Sequence, residues 1–508
     1  MKKIFAISFF IQLSLLLQAQ IAPVDMEFYV TKSYAGWKAN TKIQISGVQH
    51  VTEVPDDNSA PVERFFLIEK GDNSRHEVKS KFDGALEVIP NSPDDIWNYY
   101  TIGSVLNMIQ KKGFQTSLRN ELEDDAIEFI YRLENDGRAF SDPYLENYIY
   151  SLVSKIAPTT LVDGRPGNVN IVILNDEEQN AFTFSNGTIV ITTGLLSVLH
   201  SEDELVAILS HEIAHFVFDH SIANINASIK RQKRAEFWAA VATGVAAVGE
   251  VYAASKDPYY IPGAATIGTA VISTAIASSY IKQQGMEYNH EQENEADEAA
   301  INILELLGYR KEALATALSR IRNIYLEERS NASYFASYTH PSLNERIKNL
   351  GTPSKTDDSK FEKMVSFAVT SVAAKKVSNR RFRQALGLVD QNISNGVGIA
   401  NDYIMKASCM LALRNDEQSN NDALSCVLTA KQLDPLNINF YKPEAIALLR
   451  LNRKQQASDT LEEYRKALKN ASVQLKEIES DEVWAHWNSY FSKEDIWANN
   501  MLIKLKGM

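Results

Sequence analysis

One stretch constrains this chain more than any other: Asp203-Glu204-Leu205-Val206-Ala207-Ile208-Leu209-Ser210-His211-Glu212-Ile213-Ala214-His215-Phe216-Val217-Phe218. Its apolar positions recur at helical spacing and it has neither proline nor glycine, so it predicts a buried helix. That helix must enclose two imidazoles and a carboxylate among Ile, Val and Phe, which is costly unless a charged partner satisfies them. His211 and His215 lie one turn apart on one face, where both can reach a single Zn²⁺ at roughly 2.0–2.1 Å. Glu212 stands beside the first of them, placed to take a proton from a zinc-bound water. With nine histidines in the chain, chance supplies on the order of 0.01 such His-Glu-x-x-His matches.

A catalytic zinc of this kind needs a third protein ligand and an open position. His220 follows too soon: on a continuous helix it would point about 180° away from His211, so it is expected as a structural residue near the helix end. Glu291-Gln292-Glu293-Asn294-Glu295-Ala296-Asp297-Glu298 is the better source. Glu293 and Asp297 share a helix face, with Glu295 pointing away. Glu293 is the expected ligand, and Asp297 can accept the second N–H of a ligating histidine and fix its tautomer. The small Ala296 and Ala300 would let this helix approach the first.

The N-terminus, Met1-Lys2-Lys3 followed by an apolar run from residue 4 to 17 and then Gln18-Ala19-Gln20, has the three-part order of a secretory leader. The run is about 21 Å long as a helix, short for a membrane span, so residues 1–20 are expected to be removed on export to an oxidising compartment such as the periplasm of a Gram-negative bacterium. Residues 21–92 read as β-rich and 93–142 as helical. Residues 143–350 carry the chemistry. Residues 359–508 read as successive amphipathic helices with a weak 34-residue self-similarity of the tetratricopeptide kind, in which Ala423 matches Ala457 and Val427 matches Leu461. Such arrays commonly hold a protein partner. If the turn there is centred in the middle of 414–421, near position 417.5, Cys409 and Cys426 stand level on antiparallel helices. They are then open to a disulfide contributing about 3 kcal/mol, or to remaining two buried thiols. The charge balance of 52 basic against 64 acidic residues, net −12, argues against a nucleic-acid partner.

His211-Glu212-Ile213-Ala214-His215 followed by Glu293-Asn294-Glu295-Ala296-Asp297 resembles the gluzincin metallopeptidases of the HtpX and CAAX-prenyl-protease group, metallopeptidase family M forty-eight. Asn180-Ala181-Phe182 and Gly187-Thr188-Ile189-Val190-Ile191-Thr192-Thr193-Gly194 upstream, and Thr339-His340-Pro341-Ser342 with Glu345-Arg346-Ile347 downstream, extend the resemblance over about 143–350. With its leader and repeat-bearing C-terminus the chain is similar to the periplasmic BepA-like branch, proteases that also act in outer-membrane protein quality control. The resemblance implies an α+β fold with a mainly helical zincin-type core and a small sheet. It implies one Zn²⁺ per chain on His211, His215 and Glu293, Glu212 as general base, and polypeptide substrates. Thr188, Ile189, Val190, Ile191 and Thr192 are read as an edge strand beside the metal, onto which a peptide could add. His340 is open between three roles: a ligand that holds the enzyme latent, a catalytic stabiliser of the oxyanion alongside Tyr338, and a cap before Pro341. Arg346 is a further candidate for the same site.

A long insert separates His215 from Glu293. It begins with Lys230-Arg231-Gln232-Lys233-Arg234 and continues as two Ala/Gly-rich runs, 237–254 and 261–281, within 235–282. Each run is about 30 Å long as a helix, yet Glu250 and the scarcity of large aliphatics disfavour a spanning pair. A packed hairpin is expected, with membrane association of 237–281 the lesser alternative. The chain is thus expected to be an exported zinc metalloendopeptidase acting on misfolded or unassembled envelope proteins. The competing reading is an assembly factor for envelope proteins that works through its repeat arm, with a latent or structural zinc.

Overall fold

In Met26-Glu27-Phe28-Tyr29-Val30 every second residue is apolar, so one face of the strand they form is apolar, and five strands bury that face together. A computed structural model describes residues 20–53, 62–108, 112–159, 161, 167–229, 288–328, 343–354 and 358–506. In it β1 (Gln20–Val30), β2 (Thr41–Glu53), β3 (Val62–Glu69), β4 (Arg75–Val78) and β5 (Leu86–Ile89) form an antiparallel sheet of order β4-β3-β2-β1-β5. Phe28, Ile45, Leu67, Phe82 and Leu86 are its buried centre. Helices α1 (Pro93–Met108) and α2 (Lys112–Asn135) follow. The indole N–H of Trp97 on α1 donates to the carbonyl of Ile156 at 2.6 Å, pinning α1 to the end of α3 (Pro143–Ile156). Asp142 opens α3 by accepting from the backbone of Tyr144 and Leu145, with Pro143 in the first turn.

A second, smaller sheet contains β6 (Asn170–Leu174), β7 (Ala181–Thr183) and β8 (Thr188–Thr192) in the order β6-β8-β7. Here the structure corrects the reading of Thr188–Thr192 as an edge: β8 is central, parallel to β6 and antiparallel to β7, and all five of its residues are buried. The cause is the turn Ser185-Asn186-Gly187. Gly187 has φ +82°, and a Cβ there would meet the carbonyl oxygen of Asn168 at 2.5 Å, so the chain reverses and places the short β7 on the outside. A strand of three residues leaves almost no alternation to read.

The helix carrying the histidines is α5 (Glu202–Val217), reached through the single turn α4 (Thr193–Leu196). Ser201 caps it by accepting from the backbone of Glu204, and the acidic first turn suits the helix dipole. Every residue of α5 from Glu204 to Val217 is buried, and each large aliphatic among them contributes roughly 1.5–3 kcal/mol. After α6 (His220–Ile229), the chain is next described at Tyr288, just before α7 (His290–Leu307). Ala296, Ala299 and Ala300 are fully buried, which lets α7 lie close against α5. Helix α8 (Ala313–Glu328) covers the other side of α5, and α9 (Leu343–Leu350) packs on α8.

The remainder is helical: α10 (Ser359–Met364), α11 (Ser366–Ser378), α12 (Phe382–Ser394), α13 (Ala400–Leu413), α14 (Glu417–Leu433), α15 (Tyr441–Arg450), α16 (Lys454–Ile478) and α17 (Asp481–Lys506). Ala423 and Val427 on α14, and Ala457 and Leu461 on α16, are all fully buried. The whole is a mainly helical α+β protein with a β-rich N-terminal part and a C-terminal helical array. Of the two alternatives for the cysteines the structure has the thiols: Cys409 and Cys426 are free. The turn between α13 and α14 is centred on Asn415, not near 417.5, so Cys409 lies 415 − 409 = 6 residues before it and Cys426 lies 426 − 415 = 11 after it. That offset is roughly 7.5 Å along the helices, more than disulfide geometry spans comfortably. Burial pushes the Cys409 thiol up to about 12 and raises that of Cys426 as well.

The leader up to residue 19, the insert 235–282 with its preceding basic run, and Tyr338 and His340 lie outside the described residues. Among the described residues no helix is long and apolar enough to cross a membrane.

Candidate metal centre

Helix periodicity brings His211 and His215 to one face of α5, and the approach of α7 sets Glu293 opposite them. His211 Nε2 and His215 Nε2 are 3.0 Å apart, and each faces a carboxylate oxygen of Glu293, at 3.5 and 3.7 Å respectively. All three residues are buried. Donors at 2.0–2.1 Å around a tetrahedral ion are roughly 3.3–3.4 Å from one another, so this triangle is the size a zinc-like ion requires.

The outer nitrogens of both imidazoles are engaged. His211 Nδ1 lies 2.9 Å from Asp297 Oδ1, which makes Nδ1 the protonated nitrogen and leaves the Nε2 lone pair facing inward. His215 Nδ1 lies 2.8 Å from His220 Nδ1, and His220 Nε2 is 3.5 Å from Glu295 Oε2. The consistent tautomers have His215 Nδ1–H donating to His220, and His220 Nε2–H directed at Glu295. Two Nε2 lone pairs and a carboxylate then converge in a buried space, a donor set that calls for a cation.

Arg346 of α9 closes the cluster. Its Nε donates to Asp297 Oδ2 at 2.9 Å and its Nη2 to Asp297 Oδ1 at 2.6 Å, while Nη1 stands 2.5 Å from Glu293 Oε2. Burial by itself would raise the carboxyl of Asp297, but Arg346 and His211 more than offset it and hold the group at about 2. Burial likewise opposes the charge on Arg346, and the carboxylates of Asp297 and Glu293 outweigh it. A cavity of about 330 Å³ lined by His290, Glu293, Asn294, Glu345, Arg346 and Asn349 reaches the cluster from this side.

Glu212 is 2% exposed, and its Oε2 accepts a hydrogen bond from Thr183 Oγ1 on β7 at 2.9 Å. The ring of Tyr288 stacks on His215 with centroids 3.6 Å apart, and burial together with Glu212 and Glu293 pushes its phenol up. The structure thus unites His211, Glu212, His215, Glu293, Asp297 and Arg346. Thr188–Thr192 lie one strand further back. Sequence reasoning missed Thr183, Tyr288 and the contact made by His220. For His220 a signal was present in Asp219, a residue of the kind that tolerates the left-handed conformation: it adopts φ +56°, breaks the helix, and turns His220 back toward His215. Thr183 and Tyr288 have no fixed spacing to the histidines that could have revealed them.

A helix-borne His-Glu-x-x-His completed by a glutamate from a second helix defines a metallopeptidase-type domain. Residues 143–354, less than half of the chain, match the model of Peptidase family M48. The chain is 26% identical over 194 residues to the beta-barrel assembly-enhancing protease of Escherichia coli (strain K12), covering 38% of this chain and 36% of that protein. It is also 26% identical over 197 residues to a putative beta-barrel assembly-enhancing protease of Vibrio cholerae serotype O1, covering 39% and 37%. With metalloprotease LoiP of Escherichia coli (strain K12) it shares 26% over 189 residues, 37% of this chain and 63% of that one. The matched region is about a third of the length of the beta-barrel assembly-enhancing proteases.

Proposed function

We propose that this protein is an exported zinc metalloendopeptidase that cleaves polypeptides of the cell envelope, with the helical array as the surface for a protein partner. The single observation that carries the reading is the convergence of His211 Nε2, His215 Nε2 and Glu293 beside the carboxylate of Glu212. His211, His215 and Glu293 would hold the ion. When bound, zinc would supply a Lewis acid for the scissile carbonyl and a water of lowered pKa. Glu212 takes the proton of the attacking water and passes it to the leaving amine. The Thr183 hydroxyl donates to Glu212 Oε2 and holds the carboxylate in place. Asp297 and His220 fix the two imidazole tautomers. Strand β7, buried like β8 but outermost among the described strands of this sheet, replaces β8 as the edge along which an extended substrate can pair. Export to the periplasm rests on the leader sequence, and an envelope role on the names of the relatives.

The test compares metal content and casein cleavage in the wild type and in Glu212→Gln. One zinc in each and cleavage in the wild type alone are expected, with the variant slower by roughly 10²–10⁴-fold. Retained cleavage by pure Glu212→Gln would remove Glu212 as the base. Zinc in both with cleavage in neither would transfer the function to the helical array as an assembly factor.

A further inference from the structure

Outside the metal cluster, helix α11 of the C-terminal array anchors the loop 175–179, which joins β6 to β7. Ser371 Oγ donates to Asn175 Oδ1 at 2.8 Å, and Lys375 Nζ donates to the carbonyl of Asn175. Asn379 Nδ2 donates to Glu177 Oε1 at 2.9 Å. Lys376 Nζ and Arg381 Nη1 stand 3.6 Å from the two oxygens of that carboxylate. The Glu177 and Lys376 side chains are 13% and 6% exposed, so water screens this pairing far less than it would a surface pair.

The opposite side of the loop rests on the junction of β8 and α4. Gly194 N–H donates to the carbonyl of Asp176 at 2.7 Å, Thr193 Oγ1 to the same carbonyl at 2.8 Å, and Thr192 Oγ1 to that of Glu178 at 2.5 Å. The loop is therefore held between the sheet and the array. Three residues after Glu178 the chain enters β7, whose last residue is Thr183, the hydrogen-bond partner of Glu212. Strand β7 pairs with β8 at three positions, and the pairing runs on through Asn180 and Phe184 at its two ends, so the loop that leads into Asn180 sets where the strand lies.

We propose that Glu177, gripped by Lys376, Arg381 and Asn379, is a positioning residue for the substrate edge: through it the C-terminal array holds β7 in place for pairing with an extended polypeptide. The kinetic half of this inference rests on the peptidase reading above; the structural half does not. An edge that must accept a peptide backbone binds better when it is already ordered, because the ordering entropy is not then charged to substrate binding. Removing the carboxylate leaves buried Lys376 without this counter-charge and releases the loop from α11.

The test uses the full chain with Glu177→Ala, Glu177→Gln and the conservative Lys376→Arg. Hydrogen exchange of residues 179–184 is expected to quicken at least about tenfold in Glu177→Ala, with residues 205–215 of α5 and the metal content unchanged. For an extended peptide substrate, kcat/KM is expected to fall about tenfold, chiefly through KM. Glu177→Gln, which keeps an acceptor for Asn379 but no charge, should fall between, and Lys376→Arg should behave as wild type. Unchanged exchange at 179–184 overturns the proposal, and so does faster exchange spread evenly over the whole chain. A wild type that cleaves nothing would remove the peptidase reading, and the exchange measurement alone would still decide the role of Glu177.

Discussion

His220 Nδ1 lies 2.8 Å from His215 Nδ1, across the helix break at Asp219. This contact commits the Nδ1 proton of His215 and turns its Nε2 lone pair toward His211 and Glu293. Replacing His220 by Ala removes the acceptor without touching any of the three proposed ligands. Metal affinity is expected to fall by roughly 10–100-fold, measured by competition with a chromogenic chelator. Affinity equal to that of the wild type would show that His215 is oriented without His220.

Arg346 is 2% exposed and serves two buried carboxylates at once. In Arg346→Met the side-chain bulk is nearly kept while Asp297 and Glu293 lose their counter-charge. Breaking a buried ion pair from one side costs about 3–5 kcal/mol. Denaturant unfolding of the metal-free protein should register a loss of this size. A bound cation should restore part of it, because it neutralises the carboxylate of Glu293. A variant as stable as the wild type without metal would mean that the cluster tolerates uncompensated charge.

Gly194 sits where a Cβ would come within 2.1 Å of the carbonyl oxygen of Glu178 and 2.5 Å of that of Glu177. Both are backbone atoms of the anchored loop and neither can swing aside as a side chain does. Gly194→Ala is expected to destabilise the protein by about 1–3 kcal/mol, seen as a lower melting temperature. It should also quicken exchange in residues 175–184. Wild-type stability here would show that the loop is free to move away from α4.

The metal cluster was legible in the sequence to the extent that helix geometry is local. His211 with His215, and Glu293 with Asp297, are i, i+4 pairs, and that spacing places each pair on one face whatever surrounds it. The same spacing left Asp297 able to accept from one of the two histidines, and the way α7 lies on α5 made that one His211. The strand order did not. Thr188–Thr192 reads as strongly β, but whether a strand is central or outermost depends on what pairs with it. The partner, β7, is three residues long and visible only through the turn at Gly187. The cysteines failed for a related reason: a shift of the turn from 417.5 to Asn415 leaves both helices intact but changes which residues stand level.

By itself the sequence determined the donor set and its local geometry: two imidazoles and the carboxylate of Glu212 on one buried helix, a carboxylate pair on another, and alternation enough for a β-rich N-terminal region. These follow from periodicities of a few residues, which no distant contact alters. Tertiary structure decided which groups meet across the fold. Arg346 reached Asp297 and Glu293, Thr183 reached Glu212, His220 turned back onto His215, and α11 took hold of Glu177. Each of these contacts joins elements whose separation in sequence carries no information about their separation in space. They exist because burying α5 on all sides forces α7, α9, β7 and the helical array to pack around the same centre.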